Sequence, residues 1–191
     1  RISGVTLIPH MPAIPRLPTP NPLSMKCLPL FLLTLLCLCT SLKAANIESL
    51  RRVEKTATGE ILANVSGHLA KAYLRSNTDS SLYFAQQQLA AATEAAIPRE
   101  QMLGYIHIGF AYKYLGDFPR SLEHNLKALT LARELNDSTA QADFLSSTAT
   151  LYRRLGDYEQ SQSYFQQALK LRETLGDSVL LGSTLINYGI L

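Results

Sequence analysis

Apolar and small residues recur at helical spacing in the central part of the chain. The stretch 102–115 contains no proline. Within it, Tyr105, Ile108 and Tyr112 follow one another at intervals of three or four residues, which places them on one helix face. A second stripe with this spacing runs through residues 122–132. The pattern predicts two amphipathic helices in succession.

Turn residues separate the two predicted helices. Gly116 follows the first stripe, and glycine readily adopts the left-handed conformation found just past a helix end. Asp117 stands where its side chain can cap the next helix, and Pro119 is tolerated in the first turn of that helix. Residues 136–138, Asn-Asp-Ser, supply the next stop and cap. The unit is therefore a helical hairpin.

The hairpin is repeated along the chain. When residues 112–138 are placed over residues 152–178, an offset of 40, 11 of 27 positions are identical, whereas chance gives about two. A weaker copy runs through residues 60–94, with residues 76–79 as its turn. From Ser178 onward the chain opens the first helix of a further copy, so we expect the sequence to be a truncated record.

Small residues occupy the positions where two packed helices approach most closely. Gly109, Ser121 and Ala128 take these positions in one copy. Tyr112 and Phe118 are the neighbouring aromatics that fill the groove between the helices. The matching residues of the next copy are Ala149, Tyr152, Gly156, Asp157, Tyr158, Ser161 and Ala168.

This set of small residues, aromatics and a Gly-Asp-aromatic turn resembles the tetratricopeptide repeat family. The period of 40 is longer than that family's usual period of about 34. Asn125 stands where an aromatic is usual, and no proline ends the repeat. The resemblance implies an all-α fold, a right-handed α-solenoid of antiparallel helix pairs, of the long-period type seen in exported bacterial proteins.

The region before Asn46 has a different composition. Residues 1–24 contain six of the nine prolines, so we expect either disordered, proline-rich chain or upstream sequence that is not translated. Residues 25–45 combine Lys26, an apolar run and a small-residue end, which is typical of a secretory signal peptide; an uncleaved anchor is the alternative. The expected divisions are 1–24 (proline-rich), 25–45 (signal peptide), 46–58 (leading helix or cap), 59–97 (degenerate repeat), 98–137 and 138–177 (repeats), and 178–191 (first helix of a truncated repeat).

Charge and cysteine content change at the same boundary. Four of the 18 Lys and Arg residues precede Asn46 and all 15 acidic residues follow it, which leaves 14 basic against 15 acidic residues in the remainder. This balance provides no basic field for nucleic acid. All three cysteines also precede Asn46, so we expect no disulfide or zinc site in the repeats. Membrane contact is expected only through the leader or a missing carboxyl-terminal span.

The repeats show no pattern of catalytic or metal-binding residues. His68, His107 and His124 sit singly and are expected to be polar surface residues, although His107 and His124 could approach each other across a hairpin. Neither a phosphate-binding glycine loop nor a nucleophile elbow is present. We therefore expect no enzyme within these residues, no cofactor and no metal.

The resemblance implies a groove lined by the first helix of each repeat, in which a protein or peptide ligand lies. Basic residues beside aromatics suit a ligand that carries apolar and acidic groups. The alternative is a solvated basic face on which Phe110 and Tyr114 pack against the neighbouring repeat. The residues expected to line the groove are Phe110, Lys113, Tyr114, Thr150, Arg153 and Arg154.

Two functions are compatible with a leader followed by stacked repeats. The first is an exported scaffold that binds a polypeptide in the periplasm or cell envelope. The alternative is the amino-terminal sensory region of a membrane-bound bacterial signalling protein, either a histidine kinase or a transcription regulator. An enzyme would require catalytic residues beyond Leu191.

Overall fold

The computed structural model describes residues 46–176 together with Thr184. These residues all belong to one unit of the chain, Ala44–Leu191. The regular elements in this described part are helices, and it contains no strand. The proline-rich segment 1–24, the predicted signal peptide 25–45 and nearly all of the predicted segment 178–191 lie outside the described residues, so those three assignments stay predictions.

Short turns join successive helices, and each turn reverses the direction of the chain. Turns of three or four residues leave room only for antiparallel neighbours. The repeated pairs are α2 with α3, α4 with α5, and α6 with α7. The helices are α1 at residues 46–54, α2 (Gly59–Tyr73), α3 (Thr78–Glu94), α4 (Pro98–Tyr114), α5 (Phe118–Glu134), α6 (Ser138–Arg154) and α7 (Tyr158–Leu175).

The predicted small residues lie at the closest approach within each pair. A methyl group added to Gly109 would stand 3.3 Å from the carbonyl oxygen of Ser121. In every pair a buried serine of the second helix donates a hydrogen bond to a carbonyl of the first. These bonds join Ser81 to Ala70 (2.7 Å), Ser121 to Gly109 (2.8 Å) and Ser161 to Ala149 (2.8 Å).

The turns follow the local sequence closely. Asp117, Asp137 and Asp157 cap α5, α6 and α7, each accepting a hydrogen bond from the backbone N–H three residues later. Gly116 and Gly156 have φ values of 81° and 84°, the left-handed conformation predicted for the glycine after a helix end. In the weaker copy the cap is Asn77, and Asp79 lies in the first turn of α3.

Apolar clusters connect each helix pair to the next. One apolar cluster joins α4, α5, α6 and α7, and another joins α2, α3 and α4. Ile47 and Leu50 of α1 pack on the second cluster. Each pair thus buries its apolar face against its neighbours. The fold is an all-α solenoid of antiparallel helix pairs.

In the weaker first copy, a large residue of the second helix faces a small residue of the first helix, which is the reverse of the next copy. The pattern does not predict this reversal. Gln88 occupies the position held by Ala128 in the next copy, and it is 1% exposed. Gly67 faces it from α2, in the position that Ile106 takes in the next copy. A methyl group on Gly67 would lie 2.6 Å from the Gln88 amide nitrogen. The glycine therefore makes the room that the glutamine fills.

Candidate peptide-binding groove

A surface cavity of about 460 Å³ lies between α4 and α6. Lys113 and Tyr114 reach it from the end of α4, and Thr150 and Arg154 reach it from α6. Phe118, the first residue of α5, completes the wall. Lys113, Tyr114, Thr150 and Arg154 are the predicted groove residues that the fold brings together here. Phe118 was predicted only as a packing residue.

The two other predicted groove residues lie apart from this cavity. Phe110 is half-buried and packs against the apolar cluster that joins α4 to α7. The Lys113 ammonium lies over its ring, 5.1 Å from the ring centre. Arg153 is half-buried, and its Nε is buried without a hydrogen-bond partner. Phe110 instead lines a neighbouring cavity. Ligand binding by the predicted groove residues stays a prediction.

The neighbouring cavity, of about 270 Å³, lies between α2 and α4. The surface that the lining residues expose to this cavity is almost wholly apolar. The Ser81 hydroxyl, for example, is already bonded to the Ala70 carbonyl. The sequence pattern does not predict this cavity, because none of the predicted groove residues lies in the weaker copy. The alignment of Lys71 with Phe110 was the signal that could have found it. The lining residues are Ala70, Lys71, Leu74, Ser81, His107 and Phe110.

Cations gather at the carboxyl-terminal ends of the first helices. Lys71 lies in the last turn of α2, Lys113 in the last turn of α4, and Arg153 and Arg154 in the last turn of α6. Arg75 follows α2, and its Nε donates to the Tyr114 hydroxyl at 3.2 Å. Within the described part of the chain, no ion pair involves any of these five cations. We name this set the cationic edge.

His107 lies at the base of the smaller cavity in a buried polar network. Its Nδ1 is 2.7 Å from Oε1 of Gln88, and Nε2 of Gln88 donates to Glu100 at 2.8 Å. Burial first, and then the charges of Lys71 and His68, lower the pKa of His107 to about 4. The imidazole is therefore neutral at pH 7. The expectation of a surface position is wrong for His107, which is 5% exposed because the cavity wall and Gln88 cover it.

The described residues carry few other chemical features. His124 is half-buried and stacks on Tyr112 with ring centres 5.6 Å apart, and burial lowers its pKa. Among the described residues, no group of three or more His, Cys, Asp or Glu side chains could hold a metal ion. No described helix has the length and apolar character needed to cross a membrane.

Comparison with known families decides the class of the repeats. A sequence model of the tetratricopeptide repeat family matches residues 100–174, which span α4 to α7. Residues 100–174 are tetratricopeptide repeats. Tetratricopeptide repeats imply a scaffold for protein–protein interaction, with protein or peptide partners. The tetratricopeptide fold is typically non-catalytic.

Solved structures share the fold of this chain at low identity. A STAND signal-transduction ATPase with a tetratricopeptide repeat sensor, from Pyrococcus horikoshii, is 19% identical, with a TM-score of 0.71 over 82% of this chain. BtubC from P. vanneervenii is 21% identical, with a TM-score of 0.66 over 75% of this chain. A Rap protein complexed with Competence and Sporulation Factor is 19% identical, with a TM-score of 0.65 over 79% of this chain.

These similarities describe the fold of the tetratricopeptide array alone. The chain spans 24% of the length of the STAND protein, 61% of BtubC and 44% of the Rap protein. No curated protein sequence matches the chain.

Proposed function

We propose that the chain is an exported scaffold that binds an extended polypeptide along the face formed by α2, α4 and α6. The observation that carries the proposal is the larger cavity, where Lys113 and Arg154 stand beside Tyr114 without an acidic partner in the described residues. Unpaired cations beside an aromatic ring attract a ligand with carboxylate groups. A row of helix ends suits an extended chain that contacts several repeats at once.

Selection of peptides tests this proposal. A random peptide library displayed on phage is panned against the purified protein, and enriched peptides are measured by fluorescence anisotropy. We expect Lys113→Glu and Arg154→Glu to weaken the enriched peptides by about tenfold or more, because each reverses a charge at the cavity. Lys170→Glu is the matched control, since Lys170 is exposed on the second helix α7. The proposal is abandoned if no peptide is enriched, or if the groove variants bind as well as the control.

Export is a separate part of the proposal. It is supported by the basic start, apolar run and small-residue end of residues 25–45. Residues 25–45 are fused to a reporter enzyme that is active only after export, and a second fusion carries residues 46–66. Reporter activity from the first fusion alone is the expected result. Equal activity from both fusions, or from neither, contradicts export by this segment.

A second candidate function is ligand sensing for a signalling output. The structural similarity to a signalling ATPase whose tetratricopeptide repeats are named a sensor favours it, over 82% of this chain. In this role the array is the sensory region of a membrane-bound bacterial histidine kinase or transcription regulator. The complete coding sequence distinguishes the two functions: a span of about 20 apolar residues followed by an output domain supports sensing. Further repeats that end in a polar helix support the scaffold.

A further inference from the structure

The smaller cavity has the size and chemistry to hold one apolar side chain. Its volume of about 270 Å³ lies just below the range of whole-ligand pockets, which begins at about 300 Å³. Leu74 and Phe110 contribute apolar surface, and Ser81 has its hydroxyl occupied by Ala70. His107 is neutral at pH 7 and is bonded to Gln88. An apolar group can therefore enter without leaving a bonded polar group unpaired.

The larger cavity has the chemistry to hold a carboxylate. Lys113 and Arg154 line it from two different helices, α4 and α6, and neither has an ion-pair partner among the described residues. The acidic residues of the turns after α4 and α6 are already engaged: Asp117 pairs with Arg120 and caps α5, and Asp157 caps α7. Arginine and lysine form their strongest hydrogen bonds with carboxylates.

The two cavities lie one repeat apart on the same face. The smaller cavity sits at the junction of α2 with α4, and the larger one at the junction of α4 with α6. Packed helix axes are about 8 to 10 Å apart. A peptide in the extended polyproline II conformation rises about 3.1 Å per residue and completes a turn every three residues, so side chains three residues apart point to the same side. About three residues of extended peptide therefore bridge the distance from one cavity to the next.

From this arrangement we infer that the groove recognises an extended acidic peptide in which an apolar residue and a carboxylate stand three residues apart. The apolar side chain enters the smaller cavity, and the carboxylate is held between Lys113 and Arg154. The inference rests on the proposed function and adds to it the ligand's sequence pattern. The remaining members of the cationic edge, Lys71, Arg75 and Arg153, favour further acidic residues around this pair.

A spacing series of peptides tests the pattern. Fluorescein-labelled twelve-residue peptides of Gly and Ser carry one Leu and one Glu, separated by one to six positions in either order, and their affinity for the purified protein is measured by anisotropy. We expect the affinity to be highest at a separation of three, about fivefold to tenfold above separations of one and six. Affinity that does not depend on the separation, or on the presence of Leu, overturns the inference and indicates attraction by charge alone.

Variants of the two cavities assign each half of the pattern. Lys113→Gln and Arg154→Gln should each weaken the best peptide about fivefold while leaving a peptide with Leu and no Glu unchanged. Leu74→Gln should remove the preference for Leu, and Leu74→Met should keep it. Lys170→Gln is the control that changes neither, and circular dichroism checks that each variant is folded. Variants that lower the affinity for every peptide equally contradict the assignment.

The spacing series and the phage selection fail in different ways. If panning enriches peptides that need Lys113 and Arg154 but show no fixed separation of apolar and acidic residues, the proposed function stands and the pattern is wrong. If panning enriches nothing and the spacing series shows no binding, both are wrong.

Discussion

Single residues at the helix ends determine how each turn closes. Gly116, Gly156 and Gly176 adopt positive φ within two residues of a helix end, where a residue without a Cβ avoids steric strain. At the end of α3, however, Ala96 takes this position with a φ of 52°. A left-handed conformation costs a residue that has a Cβ about 1 to 2 kcal/mol. The turn between α3 and α4 therefore contains removable strain.

Replacing Ala96 with glycine should stabilise the protein. We expect Ala96→Gly to raise the free energy of unfolding by about 0.5 to 1 kcal/mol, because relief of strain exceeds the added entropy of the unfolded chain. Urea unfolding followed by circular dichroism measures the change. The control is Ala95→Gly, one residue earlier, where φ is −82° and glycine should only destabilise. A lower stability for Ala96→Gly would contradict the strain.

His107 makes the stability of the array depend on pH. Its pKa is about 4 in the folded protein, and an unfolded histidine titrates near 6.5. Below pH 6.5 the unfolded chain binds the proton first, so stability falls as the pH drops from about 6.5 to 4 and then levels off. The full loss is roughly 3 kcal/mol.

Removing the titrating group should flatten this pH dependence. In His107→Gln the side chain does not titrate, so the fall in unfolding free energy between pH 7 and pH 4.5 should be smaller than in the unmodified chain. Urea titrations at several pH values measure both slopes. Equal slopes would mean that His107 gains its proton as easily in the folded protein as in the unfolded chain.

At the scale of helices, packing is set by pairs of residues that fit each other's size. Gly67 and Gln88 form such a pair, and both polar atoms of the Gln88 amide are hydrogen-bonded, Oε1 with His107 and Nε2 with Glu100. The glutamine cannot move away from an added methyl group without losing these hydrogen bonds. The pair therefore couples α2 and α3 to α4.

A double-mutant cycle measures this coupling. Gly67→Ala should lower the unfolding free energy by about 1 to 3 kcal/mol, because its methyl group displaces Gln88. In a Gln88→Ala background the same change should raise it by up to about 1 kcal/mol, since alanine favours a helix more than glycine does. Asn64→Ala, on the exposed face of α2, is the control and should behave alike in both backgrounds. An equal cost of Gly67→Ala in both backgrounds would exclude the contact.

Elements whose cause is local could be predicted from the sequence. The caps at Asp117, Asp137 and Asp157 and the glycine turns depend on a few adjacent residues. The Gln88–His107–Glu100 network depends on residues 12 to 19 positions apart, in two different repeats. No periodicity reveals that such residues will meet. For this reason His107 was wrongly expected on the surface.

For the candidate groove as well, one part could be predicted from the sequence and another could not. Lys113, Tyr114, Thr150 and Arg154 share one cavity because equivalent positions of repeats lie side by side. The separate cavity at Leu74 and Phe110 depends on which side chains leave space unfilled, and a pattern of positions does not contain that information.

At the scale of the whole molecule, neighbouring repeats are joined by both apolar and polar contacts. Asn125 is 2% exposed on α5 and donates to the Phe144 carbonyl (3.0 Å) and the Thr148 hydroxyl (2.5 Å) on α6. The position that usually holds an aromatic thus carries a polar link between two repeats. Stability in repeat proteins is the sum of terms within repeats and terms between them.

Removing this link should loosen cooperation between repeats. Asn125→Ala should lower the unfolding free energy by about 1 to 3 kcal/mol and broaden the transition, so that the urea dependence becomes shallower. Ser121→Ala breaks a bond inside one helix pair and should lower stability at an unchanged slope. Urea unfolding at pH 7 measures both quantities. An unchanged slope for Asn125→Ala would show that the link does not couple the repeats.

Because Gly67 and Gln88 fit only each other, the second helix of the first repeat cannot replace that of another repeat. If a copy of α3 were placed after α4, the amide of its Gln88 would meet Ile106. In the present chain Ile106 packs against the much smaller side chain of Ala128. A longer solenoid should therefore be built by duplicating residues 98–137, in which Ala128 occupies this position. The first repeat, 59–97, should stay at the start of the array.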